Sequence, residues 1–327
     1  MINIGLDLAH SEVKMATDSD NISTVPCRVA RSRAAQVAGY TRQRVKAVGF
    51  GSIVAYVGHG DELPTDTSMF AENWQTRAVV YAGLYDLLDA GDHTARVVVG
   101  LPVAPMLADD WRKTKKALLD WLIGLHTFTV SGKERSVHIA RAIILPQPFG
   151  AYYDHLLAED GKLRADRRNL FKLRVAVVDI GDNTLDLTAI EKGQPIEGMS
   201  AGYALGVSWA AAALEQAARQ DGHVVSVEKC GAHIEAHLRG KAAVTTSGFD
   251  LAPLAQAAVD AWIAQVKNAV LRTWGEDHGA AVTLVAGGPA RTIARELRYR
   301  RVTLADSRRP ELSNVRGLTK FAKREVW

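Results

Sequence analysis

Arg174-Val-Ala-Val-Val-Asp-Ile-Gly-Asp-Asn-Thr-Leu-Asp-Leu-Thr-Ala-Ile190 reads as two strands joined by a tight polar turn. Val175 to Val178 form the unbroken apolar run that a strand buried on both faces needs, and Leu185 to Ile190 form a second β-rich run. Between them lie Asp179 and the turn Gly181-Asp182-Asn183-Thr184, with a second carboxylate, Asp186, beyond it. A turn of this composition offers consecutive backbone N–H groups, which make a nest for phosphate oxygens. A carboxylate beside a phosphate repels it unless a cation lies between, so Asp179 and Asp186 point to magnesium.

A second copy stands near the N-terminus. Ile2-Asn-Ile-Gly-Leu-Asp-Leu8 alternates apolar residues at 2, 4, 6 and 8, then passes through Ala9-His10-Ser11-Glu12 into Val13-Lys14-Met15. Asp7 precedes Lys14 by seven residues, and Asp179 precedes Asp186 by seven. Two strand–turn–strand units with one spacing imply an internal duplication, two similar halves across a cleft. Taken singly, either unit reads as well as an ordinary hairpin, where Gly, Asn, Asp and Ser are favoured in any case.

The chain has 327 residues, 47% apolar and 23% charged, the balance of an ordinary globular protein long enough for two domains. No apolar run approaches the roughly 20 residues that span a bilayer, and Asp7 interrupts the only early apolar stretch. The expectation is a cytoplasmic protein without a membrane partner. Cys27 and Cys230 are far apart and match no metal spacing; both read as reduced, buried small side chains. The net charge of +4 is uneven, because Arg291 to Trp327 holds eleven Lys/Arg against four Asp/Glu. Such a segment reads first as a solvated face and second as a surface for DNA phosphates or an acidic partner, with no nucleic-acid-binding signature beside it.

In chain order, residues 16 to 60 mix short β-type runs with Arg-rich and Gly-rich connections, ending in a strand over Ile53 to Val57. Helical spacing runs from Gln75 to Leu88, a buried strand over Arg96 to Val99, and a helix from Leu107 to about Leu125. Ala142 to Leu145 is a strand, interrupted by Pro146-Gln147-Pro148, with a helix expected from Ala151 to about Ala158. A Gln held between two prolines suits either a turn or a residue that orients a water molecule. The charged stretch Lys162 to Lys172 reads as a domain crossover. Helices follow over Val207 to about Arg219 and from Asp250-Pro253 to about Trp274. Val282 to Ala286 is a buried strand ending in Gly287-Gly288-Pro289, and a helix runs from Ala290 to about Leu297. There the backbone can approach a nucleotide closely.

In this order the segments resemble the actin-like ATPase superfamily. Asp7 to Lys14 is similar to its first phosphate loop, and Pro146-Gln147-Pro148 to its first connecting segment. Asp179 to Asp186 resembles the second phosphate loop, and Leu284-Val-Ala-Gly-Gly-Pro289 the adenosine motif. Within the superfamily, Val99-Gly-Leu-Pro-Val103, Gly202-Tyr-Ala-Leu-Gly-Val-Ser208 and Ser313-Asn-Val-Arg-Gly317 resemble segments of the ParM/StbA plasmid-segregation actins and their archaeal-type relatives. The resemblance implies an α/β fold of two actin/ribonuclease-H-like domains, mixed sheets flanked by helices, with a nucleotide cleft between them. The domains expected are 1–160, with the C-terminal segment 305–327 returning to it, and 161–304.

It also implies ATP, with GTP the alternative, and Mg2+. Lys14, His10 and Ser11 would meet phosphate with Gly181, Asp182, Asn183 and Thr184, while Gly206, Gly287 and Gly288 let backbone approach the nucleotide. Asp7 and Asp179 would hold magnesium largely through water, Gln147 and Asp179 would serve hydrolysis, and Asp186 would support the loop. Where the family's first loop reads Asp-x-Gly, this chain has Asp7-Leu8-Ala9, whose methyl group narrows the phosphate approach unless its backbone keeps a negative φ. The implied partners are further copies of the chain in a head-to-tail filament and a DNA-binding adaptor, with direct DNA contact through the basic C-terminal segment left open. The competing readings are a non-filamentous ATP-binding scaffold and a small-molecule kinase on the same fold.

Overall fold

The computed structural model describes residues 1–18, 20–31, 45–63, 73–241 and 250–324. Part of the arginine-rich connection, 32–44, and the end of the basic segment, 325–327, lie outside the described residues. The chain divides into two units, Met1–Arg168 together with the segment from Leu312, and Asn169–Glu311.

The first unit begins with β1 (Ile2–Leu8), β2 (Glu12–Ala16), β3 (Ile22–Pro26), β4 (Arg28–Ala30), β5 (Lys46–Phe50), β6 (Ile53–Val57) and β7 (Asp61–Glu62). It continues through α1 (Trp74–Leu87), β8 (Asp92–Leu101), α2 (Val103–Met106), α3 (Trp111–Leu122), β9 (Gly124–Val130), β10 (Lys133–Pro146) and α4 (Gln147–Leu156). Its sheet has the order β3-β2-β1-β8-β10-β9-β5-β6-β4-β7. β1 is antiparallel to β2 and parallel to β8, which is parallel to β10. Ile4, Leu6 and Leu8, with Val97 and Val99, are buried on one face of the sheet among Val79, Leu84, Leu118 and Phe128. Val98 is buried on the other against Leu318 and Ala322, so β8, flanked by two parallel neighbours, is apolar on both faces.

After α5 (Arg168–Phe171), the second unit consists of β11 (Val175–Ile180), β12 (Leu185–Glu191), β13 (Gln194–Tyr203), α6 (Val207–Gln220), α7 (Val227–Leu238), α8 (Ala252–Trp274), β14 (Val282–Ala286), α9 (Ala290–Glu296) and β15 (Val302–Leu304). Its sheet order is β13-β12-β11-β14-β15. β11 is antiparallel to β12 and parallel to β14, and β14 is parallel to β15. Strand for strand this repeats β3-β2-β1-β8-β10 in order and direction, so the duplication seen in two hairpins extends to five strands. α8 docks through Trp262, whose indole N–H donates to Leu205 O (2.8 Å), and Trp274, which donates to Met199 O (3.1 Å).

The last helix, α10 (Ser313–Ala322), packs on β1 and α4 of the first unit. Glycines permit this: a methyl group at Gly5 would meet Thr319 N at 2.6 Å, and one at Gly150 would meet Asn314 Cα at 2.6 Å. Beside the crossing, the Lys320 ammonium is buried against the Asp154 carboxylate (2.8 Å).

Several boundaries differ from the sequence reading. The helix expected from Ala151 starts at Gln147, because a proline at the second helical position lacks only an N–H that has no partner there. The helix expected from Leu107 to Leu125 is α3 alone, preceded by the separate turn α2, since Asp109-Asp110 breaks the apolar spacing. Strand β13 and helix α7 carry too few regularly spaced apolar residues to be seen: of α7 only Cys230 and Ile234 are buried.

Candidate functional site

In the first unit, the antiparallel register of β1 and β2 sets Asp7 opposite Lys14, and the parallel register with β8 sets Asp7 opposite Gly100. Asp7 is 4% exposed. Gln147, at the first position of α4, donates from Nε2 to Asp7 Oδ1 (2.9 Å) and to Leu8 O (3.3 Å). Gly100 makes room for it, since a methyl group there would sit 3.3 Å from Gln147 Cγ. The helix start therefore places an amide directly on the carboxylate that ends the first strand. Lys14 lies 3.3 Å from Glu12, two residues away on the same face of β2. His10 is buried in the connecting loop and Ser11 is half-buried. Ser11 O accepts from Cys27 N (2.8 Å), and the Cys27 thiol donates to Ala9 O (3.3 Å). Ala9 keeps a φ outside the left-handed region, so its methyl group costs no backbone strain.

In the second unit the same register sets Asp179 opposite Asp186 and opposite Ala286. Asp179 is 5% and Asp186 1% exposed. Thr184 Oγ1 donates to Asp186 Oδ2 (2.8 Å), which fastens the far end of the turn. Every carbonyl of the turn is engaged. Thr184 O accepts from Gly181 N (2.9 Å), Asn183 O from Gly206 N (3.2 Å), Gly181 O from Val207 N (3.2 Å) and Asp182 O from Ser208 N (2.8 Å). The first N–H groups of α6, which have no partner within a helix, are thus spent on holding the turn. Gly206 touches the turn from behind, because any side chain there would collide with Asp182 O and Asn183 N. Gly287 has φ +95° and lies against Ile180, while Gly288 has nothing within 4 Å of where a methyl group would stand.

Burial pushes the Asp7 carboxyl above its usual range, and Lys14 and the Gln147 amide pull against that. A cation beside Asp7 would relieve the burial cost. The donors gathered in each unit are oxygen-bearing groups, Asp7 and Gln147 in one and Asp179, Asp186 and Thr184 in the other. That is the donor chemistry of a hard cation such as Mg2+, which keeps several waters and needs only one or two carboxylates. Among the described residues no group of three or more His, Cys, Asp or Glu side chains could cage a metal without water. Glu12 and Cys27, which tether Lys14 and the first loop, escaped the sequence reading. Alternation along β2 is the signal for Glu12; nothing local marks Cys27.

Residues 5–150 match the family model of actin-like proteins, N-terminal domain, and residues 177–299 match that of the archaeal actin homologue MreB-like, C-terminal. The chain belongs to the actin-like superfamily. This actin-like protein shares its fold with Ta0583, an archaeal actin homolog (16% identity, 99% of this chain and 100% of that one, TM-score 0.79). The same homolog in complex with ADP gives 17% identity, 99% and 100% coverage and a TM-score of 0.76. A 15-stranded ParM filament from Clostridium botulinum gives 18% identity, 98% and 99% coverage and a TM-score of 0.74. Identities this low establish the fold alone. No sequence among curated proteins matches.

Proposed function

We propose that this actin-like protein is a cytoplasmic ATPase that binds ATP with Mg2+ through the loops of both units and assembles head to tail into filaments. We further propose that these filaments segregate plasmid DNA through a DNA-binding adaptor. The observation that carries the nucleotide reading is the equivalence of the two loops, Asp7 over Lys14 and Asp179 over Asp186, each closing the first strand of the same five-strand arrangement. Nucleotide and filament are further supported by the structural neighbours, an archaeal actin homolog in complex with ADP and a ParM filament.

In this reading Lys14 leaves Glu12 for a phosphate, an exchange that a more highly charged anion favours. The N–H groups of Ser11, Asp182, Asn183 and Thr184 donate to phosphate oxygens, and His10 and Gly181 line the approach. Gly206 keeps the second loop in place from behind. Gly287 and Gly288 pass beside the adenosine. Asp7 and Asp179 would hold Mg2+ largely through water, and the ion would offset negative charge on the phosphate oxygens. Gln147, aligned by Asp7 and Leu8, turns the attacking water toward the terminal phosphate, and Asp179 assists. Catalysis of this kind is positioning and charge stabilisation, with no covalent step on the protein.

Filaments need a heterologous interface that does not close into a ring. Light scattering and pelleting with ATP, with GTP, with ADP and without nucleotide test the proposal. Assembly is expected with a triphosphate, and Asp179→Ala is expected to abolish hydrolysis. A protein that stays unassembled with every nucleotide over a wide concentration range overturns the filament reading.

A further inference from the structure

The second unit ends in a segment that the nucleotide reading leaves unused. Residues 291–309 contain seven arginines, no lysine, and only Glu296 and Asp306 as acids. The rest of that unit up to residue 290 is acidic, with nine Lys/Arg against thirteen Asp/Glu. The segment comprises α9, the turn to β15, β15 itself and the turn beyond it, and β15 is the edge of its sheet. All seven arginines are exposed. Arg309 pairs with Glu311 (3.1 Å), and Arg291 donates to the carbonyls of Ser307 and Arg308 (2.7 and 3.0 Å). Among the described residues the other five, Arg295, Arg298, Arg300, Arg301 and Arg308, make no ion pair. The nearby carboxylates are already engaged: Glu296 lies 3.8 Å from Lys267, and Asp306 accepts from the backbone of Arg308 and Arg309.

Charge placed on an edge strand can serve only to block strand pairing. That explanation does not fit, because β15 is Val302-Thr-Leu304 and the arginines flank it. A protein partner would be expected to find apolar anchors at the centre of its interface. Among the described residues no large apolar side chain of this segment is prominently exposed. What is presented is a set of guanidinium forks, the group that matches phosphate geometry in two parallel hydrogen bonds. From Arg301 to Arg308 the chain reaches at most roughly 23 Å at strand spacing. A duplex carries a charge about every 1.7 Å, so this edge spans on the order of ten phosphates.

We propose that the arginine-flanked β15 edge is a nucleic-acid backbone site, binding duplex DNA without reading its sequence. It goes beyond the proposed ATPase activity and does not rest on it. The test is fluorescence anisotropy of a labelled 30-base-pair duplex with the full chain and no nucleotide, across a salt series. Five phosphate contacts give a log–log salt slope of about −4.5, so binding weakens roughly 500-fold between 50 and 200 mM salt. R298Q/R300Q/R301Q leaves two contacts and should weaken only about 12-fold over the same range. R298K/R300K/R301K keeps the charge and should keep the steep slope. No binding at 50 mM salt, or a slope unchanged by the Gln variant, overturns the site. So does polyglutamate that displaces the duplex at equal charge concentration, because the edge then takes acidic polypeptide as readily. The wild-type slope and the competition need no variant, so they stand even if a substitution disturbs folding.

Discussion

Gly206→Ala should unseat the second loop. The backbone of Gly206, at φ −74° and ψ −173°, accepts any residue, so only the neighbours oppose a methyl group. Those neighbours are backbone atoms of Asp182 and Asn183, which must retreat by about 1 Å or more to reach ordinary contact distance. Moving the turn strains or breaks Gly206 N to Asn183 O and Ser208 N to Asp182 O. Overpacking costs about 1–3 kcal/mol and each hydrogen bond roughly 1 kcal/mol, so a loss near 3 kcal/mol is expected. For a unit of this size that lowers the thermal midpoint by roughly 6–12 °C. Gly181→Ala is the matched control. Gly181 also avoids the left-handed region, and a methyl group there meets nothing nearer than Thr184 O at 3.9 Å. Its stability should hold or rise by about 0.4–1 kcal/mol, through the stiffer unfolded chain. Its affinity for a fluorescent ATP analogue should nevertheless fall, because on the proposed function the methyl group would stand where phosphate approaches. Calorimetry and nucleotide titration on both variants decide the matter. A Gly206→Ala protein with an unshifted midpoint refutes the packing argument, and a Gly181→Ala protein with unchanged affinity removes the turn from the phosphate site.

Gln147→Ala should slow ATP hydrolysis by about 100-fold while nucleotide affinity changes little, since misplacing a reacting group costs on that order; parallel loss of affinity would assign it to binding instead. Breaking the buried Asp154–Lys320 pair should cost about 3–5 kcal/mol for Asp154→Leu or Lys320→Met alone, with the double variant more stable than either in urea unfolding. A double variant as unstable as the sum of the singles would show that the pair is not coupled. Burial holds His126 and His278 below the usual imidazole range, each fitted to its neutral form. His126 lies between Tyr81 Oη and Leu122 O, and His278 Nδ1 accepts from Ala280 N while Nε2 meets Thr283 Oγ1. The unfolded chain binds those protons first, so their contribution is complete above about pH 6.5 and is lost as pH falls through the folded values. NMR titration should place both folded midpoints below 6.5, and a midpoint above it would reverse the sign.

The second hairpin is readable because a strand buried on both faces needs an unbroken apolar run, which Val175 to Val178 supply, and the first because its apolar residues alternate at 2, 4, 6 and 8. A carboxylate at the end of such a run stands out against it. The opening of α4 was harder. Proline normally marks a break, and only the actual start shows Pro148 at the position where a helix tolerates it. β13 and α7 are hidden for a different reason: no residue of β13 and only Cys230 and Ile234 of α7 are fully buried, so burial imposes little period on their residues.

By itself the sequence determined which residues end the first strand of each half, and that the two halves share a spacing. Apolar alternation and turn chemistry are local, so they can be read without coordinates. Only the tertiary structure decided what those residues touch. Gln147 reaches Asp7 across 140 positions, and the N-terminus of α6 is spent on the carbonyls of the turn at 181–184. Thr319 of the last helix lies against Gly5 of the first strand. Contacts of this kind depend on parallel register and on glycines where backbones meet, and neither leaves a period in the sequence.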